Sequence, residues 1–233
     1  GGGIGTDNAL TLSGPAFATG GNFVKTGPGN LMLTYDGGNV FGSGLQVGIE
    51  VRGGTLTLDG TSITQTNSVT GDIWVGTQAA SGADLVIENT TVNNVGNYLA
   101  IARGSGTTGL TSTCTLNSST MTMGNLSLAY WNNVAGYLAT GVLTLNDSTL
   151  TIAGVNQLGE SIGGTGLLTL NGDSEMSSAE INIGRRTGSN GTLNIKGTST
   201  YTSNGRVHVG SEVGAVGDLV IEEQGECIVN SFV

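Results

Sequence analysis

Charge is the first scarcity in this chain. Only 10% of its 233 residues are Asp, Glu, Lys or Arg, and seven cations against seventeen acids leave a net charge of −10. Such a balance offers no basic footprint, which excludes nucleic acid and an anionic membrane surface as partners. Apolar runs are short, and none approaches the length of a bilayer span, which excludes membrane insertion by this chain. The opening Gly1-Gly-Gly-Ile lacks the basic and apolar regions of a secretory signal, so the chain is expected to be a mature product or a fragment. Histidine occurs once, at His208, and cysteine twice, at Cys114 and Cys227. Proline occurs twice and aromatic residues make up 5%. Disorder is not implied, because the apolar residues recur with the alternation of β-strands.

What is abundant is glycine, 42 residues, and it falls mostly between short apolar phrases. Four of these phrases repeat one pattern of apolar, outward, apolar, polar turn: Leu143-Thr-Leu-Asn, Leu168-Thr-Leu-Asn, Leu193-Asn-Ile-Lys and Leu219-Val-Ile-Glu. A second phrase, apolar-x-apolar-Gly, lies between them, as in Ile181-Asn-Ile-Gly184 and Val207-His-Val-Gly210, with its glycine nine residues before the next anchor leucine. Carried backwards, the register passes through Cys114, Leu85, Leu56, Leu31 and Leu10. From Leu31 to Leu219 the anchors are spaced 25, 29, 29, 29, 25, 25 and 26 residues apart, a period suited to one coil of a solenoid.

Alternation then reconstructs the coil. Leu143 and Leu145 point inward, Leu150 and Ile152 form a second inward pair after the Asn146-Asp147 turn, and Leu158 before Gly159 supplies a third wall. The predicted fold is all-β: a single-stranded parallel β-helix, or β-solenoid, with about 25–29 residues and three short strands per coil. It forms one domain over residues 1–233, with an irregular first coil at 1–30 and regular coils at 31–233. Roughly eight or nine coils give a stack on the order of 40 Å long.

Equivalent residues should stack as columns, making an apolar wall from Leu31 to Leu219 and a second from Leu58 through Ile87, Leu116, Leu145, Leu170 and Ile195 to Ile221. An asparagine ladder is expected at Asn117, Asn146 and Asn171, and a threonine ladder at Thr115, Thr144 and Thr169. Surface ion pairs are expected between Glu160 and Arg185 and between Arg186 and Glu212, contributing about 0 to 1 kcal/mol each. The interior reads as unspecialised. Cys114 and Cys227 lie about four coils apart, roughly 19 Å at the rise of a β-stack, so they should remain free, small, buried residues.

One block carries a resemblance. Lys25-Thr-Gly-Pro-Gly-Asn-Leu-Met-Leu, followed by Gly53-Gly-Thr-Leu-Thr-Leu58, resembles the autotransporter-associated β-strand repeat over about 40 residues. That resemblance implies a right-handed parallel β-helix displayed on a bacterial surface, and the remaining coils look like the looser passenger repeats of the same proteins. The membrane barrel that defines autotransporters does not occur within this sequence.

Candidate chemistry is sparse. Asp59 and Glu88 take equivalent turn positions in adjacent coils, the arrangement of a retaining glycosidase pair, but nothing around them would split their pKa values. His208 alternates outward without metal-ligand neighbours, and no serine sits in an elbow motif. Residues 2–10 fit a calcium-binding nonapeptide once, whereas such sites need tandem copies. The stretch Ala102-Arg-Gly-Ser-Gly-Thr-Thr-Gly109 lacks a P-loop lysine and reads as an extended turn. Five Asn-x-Ser/Thr sites, at Asn89, Asn117, Asn125, Asn146 and Asn190, matter only in a eukaryotic secretory route. No catalytic residue, cofactor or metal is expected.

Two surfaces are candidates for binding. Trp74 faces outward between Ile73 and Val75, and Tyr130 and Trp131 lie in the longest intercoil loop; these rings could stack on a glycan or cell-surface ligand, or fold back on the flank. The outward column from Trp74 continues as Ala100, Ser127, Gln157, Asn182 and His208 without a second aromatic. The stack ends, with Leu10 and Leu12 at one and Cys227, Ile228 and Phe232 at the other, could join head to tail, since the final phrase lacks a polar cap. The expected role is a non-catalytic extracellular module of a bacterial surface protein, as stalk, adhesin passenger or fibre subunit. The alternative is a polysaccharide-binding or polysaccharide-degrading β-helix.

Overall fold

The computed structural model describes residues 2–14, 17–18, 21–35, 39–42, 47–60, 66–77, 82–103, 109–130 and 138–231. Every regular element among them is a β-strand, and the strand pairings among them are parallel. Parallel pairing follows from the period. A chain that returns to the same phrase after 25–29 residues, travelling the same way, lays each phrase beside its predecessor. Inward apolar positions then stack on inward apolar positions.

The first wall is a sheet of nine strands, from Leu10–Gly14 through Asn30–Tyr35, Thr140–Asn146 and Thr165–Asn171 to Val216–Ile221. Its register is the anchor column: Leu10 pairs with Leu31, Leu31 with Leu56, Leu56 with Leu85, Leu85 with Cys114, and so on to Leu193 with Leu219. From Leu31 to Leu193 these side chains are fully buried. The second column is also confirmed, Leu58 to Ile87, Leu116, Leu145, Leu170, Ile195 and Ile221.

The second and third walls belong to one larger sheet. They are separate strands at Thr66–Val69 and Asp72–Val75 and again at Thr200–Ser203 and Val207–Val209, but the coils between run through the bend as single strands: Thr91–Ile101, Thr120–Leu128, Thr149–Leu158 and Glu175–Ile183. A register shift marks the bend in each pairing of these long strands. The expected three walls are therefore present, with the second corner made inside a strand. Residues of the first 30 already pair with the coil that follows, Gly2–Gly5 on Phe23–Thr26 and Leu10–Gly14 on Leu31–Tyr35.

Inside the first corner runs a hydroxyl ladder that alternation alone does not reveal. Thr90, Ser119, Ser148, Ser174 and Ser199 stack out of solvent. The first four backbone N–H groups each donate to the hydroxyl one coil further on: Thr90 to Ser119 at 3.3 Å, Ser119 to Ser148 at 3.1 Å, Ser148 to Ser174 at 3.2 Å and Ser174 to Ser199 at 3.2 Å. The serine hydroxyls in turn donate to nearby carbonyls, as Ser148 does to Asn146 at 2.7 Å. The corner thus satisfies N–H groups that the turn takes out of the sheet pairing. Just outside it stands the expected asparagine ladder, Asn171 donating to Asn146 at 3.0 Å and Asn146 to Asn117 at 2.8 Å, and Asn117 continues to Glu88 at 3.3 Å.

The interior is more specialised than an apolar pattern suggests. Lys25 takes an inward position in the third wall, in register with Ile4 and Val51, and its side chain is fully buried. The ammonium group reaches the corner and donates to the carbonyls of Thr26, Gly27 and Gly53 at 2.9, 2.9 and 3.0 Å, tying one coil to the next. Burial pushes its pKa down, and Asp7 opposes the shift. Asn94 donates to the Gly71 carbonyl at 2.7 Å and Asn67 to Thr90 at 2.9 Å. Near the C-terminal end the buried Tyr201 hydroxyl bonds Ser178, and burial pushes its pKa up to about 12. The Asn156 amide lies beside that hydroxyl without a well-aligned hydrogen bond.

Candidate functional site

The long strands leave three outward columns on and beside the third wall. Asp72 and Tyr98 lie near the bend. The middle column is Glu50, Trp74, Ala100, Ser127, Gln157, Asn182 and His208, in the register expected from alternation. Past the corner, Arg103, Tyr130, Glu160 and Arg185 occupy successive coils after Ala102, Ala129, Gly159 and Gly184, which all hold positive φ of 56–72°.

This face is not the open flank that the alternation suggests. Ala100 and Ser127 are fully buried, and Gln157 and Asn182 nearly so, although all four point away from the core. Trp74 is half-buried. Its indole N–H donates to Asp72 at 3.0 Å, whose other oxygen accepts the Tyr98 backbone N–H at 3.1 Å. The Arg103 guanidinium lies over the Trp74 ring at 3.4 Å and 5.0 Å from the Tyr130 ring centroid, and Tyr130 meets Tyr98 edge to face at 6.1 Å. The rings thus fold back on the flank, with a cation between two of them. Trp131 lies outside the described residues.

Glu160 is the deepest acid of this edge. It pairs with Arg185 at 3.1 Å and bonds the Ser127 hydroxyl, so the expected partnership is present, but it is not a surface pair. Burial raises the Glu160 pKa despite the opposing pull of Ser127 and the two arginines. Tyr98 is raised as well, by burial and then by the Glu160 charge. The second expected pair, Arg186 to Glu212 at 3.1 Å, is only partly exposed.

The other candidates are dispersed. Asp59 and Glu88 are register partners at the first corner, where Glu88 is engaged by the Asn117 amide. His208 lies 3.7 Å from Glu180. Among the described residues no group of three or more His, Cys, Asp or Glu is placed to hold a metal ion, and no helix is long and apolar enough to cross a membrane. Cys114 is buried and Cys227 half-buried, and both are free; burial pushes the Cys114 thiol up to about 12. Leu10 and Leu12 lie on the first wall of the first rung, with Leu10 40% exposed. Cys227 and Ile228 lie on the second wall of the last rung, Cys227 turned inward beneath Tyr201 and Ile228 outward beside Thr202. Phe232 is outside the described residues.

The residues missed by sequence reasoning are Arg103, Tyr98 and the buried polar groups beneath them. Their one signal is register, since Arg103 and Tyr130 take the same place past the corner as Glu160 and Arg185 in later coils. Comparison with known protein families, with curated proteins and with solved structures finds no match for this chain.

Proposed function

We propose that this chain is a non-catalytic structural module, a stiff rod that serves as stalk, adhesin passenger or fibre subunit of an extracellular bacterial surface protein. The observation that carries the reading is the in-register first wall from Leu10 to Ile221, in which each coil pairs with the next through the sheet and the coils between Thr90 and Ser199 are further tied by the hydroxyl and asparagine ladders. Stability in such a stack is a sum of neighbour terms, and the backbone groups of a continuous sheet are not available to a protease. The likeness of residues 25–60 to the autotransporter-associated repeat supports surface display.

End-to-end assembly is the sharper form of this reading. Val216, Leu219 and Ile221 on the last rung are 37–50% exposed, and a second copy could cover them through its first rung. Electron microscopy of the native material, beside its mass in solution, tests both forms. Filaments with an axial repeat near the stack length support assembly, and dispersed rods on the order of 40 Å at monomer mass support a stalk. Compact particles that proteases cut within the walls would overturn the rod.

A further inference from the structure

An asparagine followed by glycine is where a backbone nitrogen attacks a side-chain amide most readily, because glycine has no Cβ to shield that nitrogen. This chain holds three such pairs: Asn171-Gly172, Asn190-Gly191 and Asn204-Gly205. Attack needs a free amide and a free glycine N–H, so the fold ranks them. At Asn190 the nitrogen is locked, since Gly191 is buried within the first wall, paired with Gly166 on one side and Gly217 on the other. At Asn171 the amide is held. It donates to Asn146 at 3.0 Å, half-buried in the ladder that continues to Asn117 and Glu88. Asn204 differs on both counts. It stands exposed in the bend between Thr200–Ser203 and Val207–Val209, where the previous coil runs through as one strand, and the Gly205 N–H donates to nothing among the described residues. Its Nδ2 has no acceptor, and its Oδ1 accepts one exposed bond from Asn230 at 3.0 Å, which polarises Cγ rather than shielding it. Packing also keeps the glycine in place, because a Cβ at 205 would lie 2.5 Å from the Ala179 carbonyl oxygen.

We infer that Asn204 is a site of self-modification, where the folded chain deamidates through a succinimide. The Gly205 nitrogen gives its proton to hydroxide from solvent and bonds to Asn204 Cγ; the Cγ–Nδ2 bond breaks, and Nδ2 takes a proton from water and leaves as ammonia. Water then opens the imide. Cleavage of the bond to Cγ leaves aspartate, and cleavage of the bond to the backbone carbonyl carbon leaves isoaspartate, with the main chain routed through the side-chain carbon. Nothing is oxidised or reduced. Either product sets a negative charge where a neutral amide met Asn230, and the isoaspartyl link lengthens the main chain by one atom between the second and third walls. Asn204 is bonded through its N–H to Ser178 and through its side chain to Asn230, so the coil that loosens is the last one. This modification does not depend on the rod reading, and its absence would leave that reading intact.

The test is incubation of the whole chain in mildly alkaline buffer, followed by peptide mass mapping that separates asparagine, aspartate and isoaspartate. Attack by a paired backbone nitrogen waits for local opening, so Asn204 should convert about tenfold or more faster than Asn190, and severalfold faster than Asn171. Urea-unfolded chain should convert at all three sites within severalfold of one rate, which assigns the difference to the fold. Asn146→Ala releases the Asn171 amide and should speed that site alone. Asn204→Gln, whose ring would need a sixth member, should show no conversion at position 204; after the same incubation it should keep the amide exchange of fresh protein in residues 200–229, where the parent exchanges faster. Asn190 or Asn171 converting as fast as Asn204 in the folded parent, or an Asn204 that stays intact, would overturn the assignment. Equal exchange in the two incubated chains would overturn the loosening of the last coil.

Discussion

Gly184→Ala and Gly188→Ala make a matched pair, because one backbone requirement is common to both and one packing requirement is not. Gly184 holds φ of +71° at the corner between the third and first walls, and Gly188 holds +66° in the loop that follows. At either place an alanine pays the left-handed penalty of about 1–2 kcal/mol, offset by about 0.4–1 kcal/mol from the less flexible unfolded chain. A methyl group at Gly188 meets nothing within 4 Å. The expected net loss there is about 1 kcal/mol.

At Gly184 the same methyl would lie 2.6 Å from the carbonyl carbon of Val216, nearer still to its oxygen, and 3.1 Å from the Gly217 nitrogen. That backbone starts the first wall of the next coil, where the Val216 N–H donates to Ser189 at 2.8 Å. It cannot retreat without stretching the ladder, so overpacking adds roughly 1–3 kcal/mol. The total is about 3 kcal/mol. For a domain of this size the two losses correspond to falls in Tm of roughly 6–12 °C for Gly184→Ala and 2–4 °C for Gly188→Ala. Thermal unfolding followed by circular dichroism measures both. Equal shifts would refute the argument, because they would mean that the coils do not approach closely at this corner.

Three further perturbations separate the other devices. Ser148→Ala removes the acceptor of the Ser119 N–H at a buried position and should cost about 1–3 kcal/mol in urea unfolding, whereas Thr151→Ala on the exposed second wall should stay within about 0.5 kcal/mol. Lys25→Met leaves the carbonyls of Thr26, Gly27 and Gly53 without their shared donor; a loss of about 2 kcal/mol is expected, with amide exchange accelerated in residues 2–60 and unchanged beyond Thr140. Glu160 carries a pH signature. Its folded pKa is raised, so the folded state binds this proton more tightly than the unfolded chain does. The associated stabilisation is fully present below the ordinary carboxyl value and lost as pH rises through the folded value. The Tm of the parent minus that of Glu160→Gln should therefore fall as pH increases across that window; a flat difference would contradict burial of the charge.

What was legible in the sequence is what a period of two and a period of one coil encode. Leu31, Leu56 and Leu85 could be stacked without coordinates because each is an apolar residue between outward neighbours, and a one-residue slip would have exposed all of them. The asparagine ladder and the Glu160–Arg185 pair were legible for the same reason, since equal positions in successive coils must be neighbours. Depth was not legible. Glu160 lies one residue past a corner glycine, a position that reads as surface, and is covered all the same. Lys25 was hidden by the opposite effect, since a lysine at an inward position contradicts the binary pattern until its ammonium is seen among corner carbonyls. Ser119 and Ser148 looked like turn residues, and only their stacking turns them into a ladder.

The irregularity of the period falls largely at one corner. The coils anchored at Leu143 and Leu168 are 25 residues long and cross from third to first wall in six residues, 159–164 and 184–189. The coils anchored at Leu85 and Cys114 are 29 long, and the same crossing takes nine residues at 102–110 and eleven at 129–139. The described parts of the long crossings pack on the stack: Ala129 and Ala139 are buried with Ala102, and the Ser161 hydroxyl donates to the carbonyls of Ala129 and Tyr130 at 2.9 and 2.8 Å. Arg103 and Tyr130 take the second position of their crossings, the position that Glu160 and Arg185 hold in the six-residue ones. Shortening 129–139 to the six-residue crossing of the next coil should therefore destabilise the chain by about 1–3 kcal/mol in urea unfolding, because it disturbs the buried Ala102, Ala129 and Ala139 and the bonds that Ser161 makes across this corner. Unchanged stability would show instead that the long corners are no part of the scaffold.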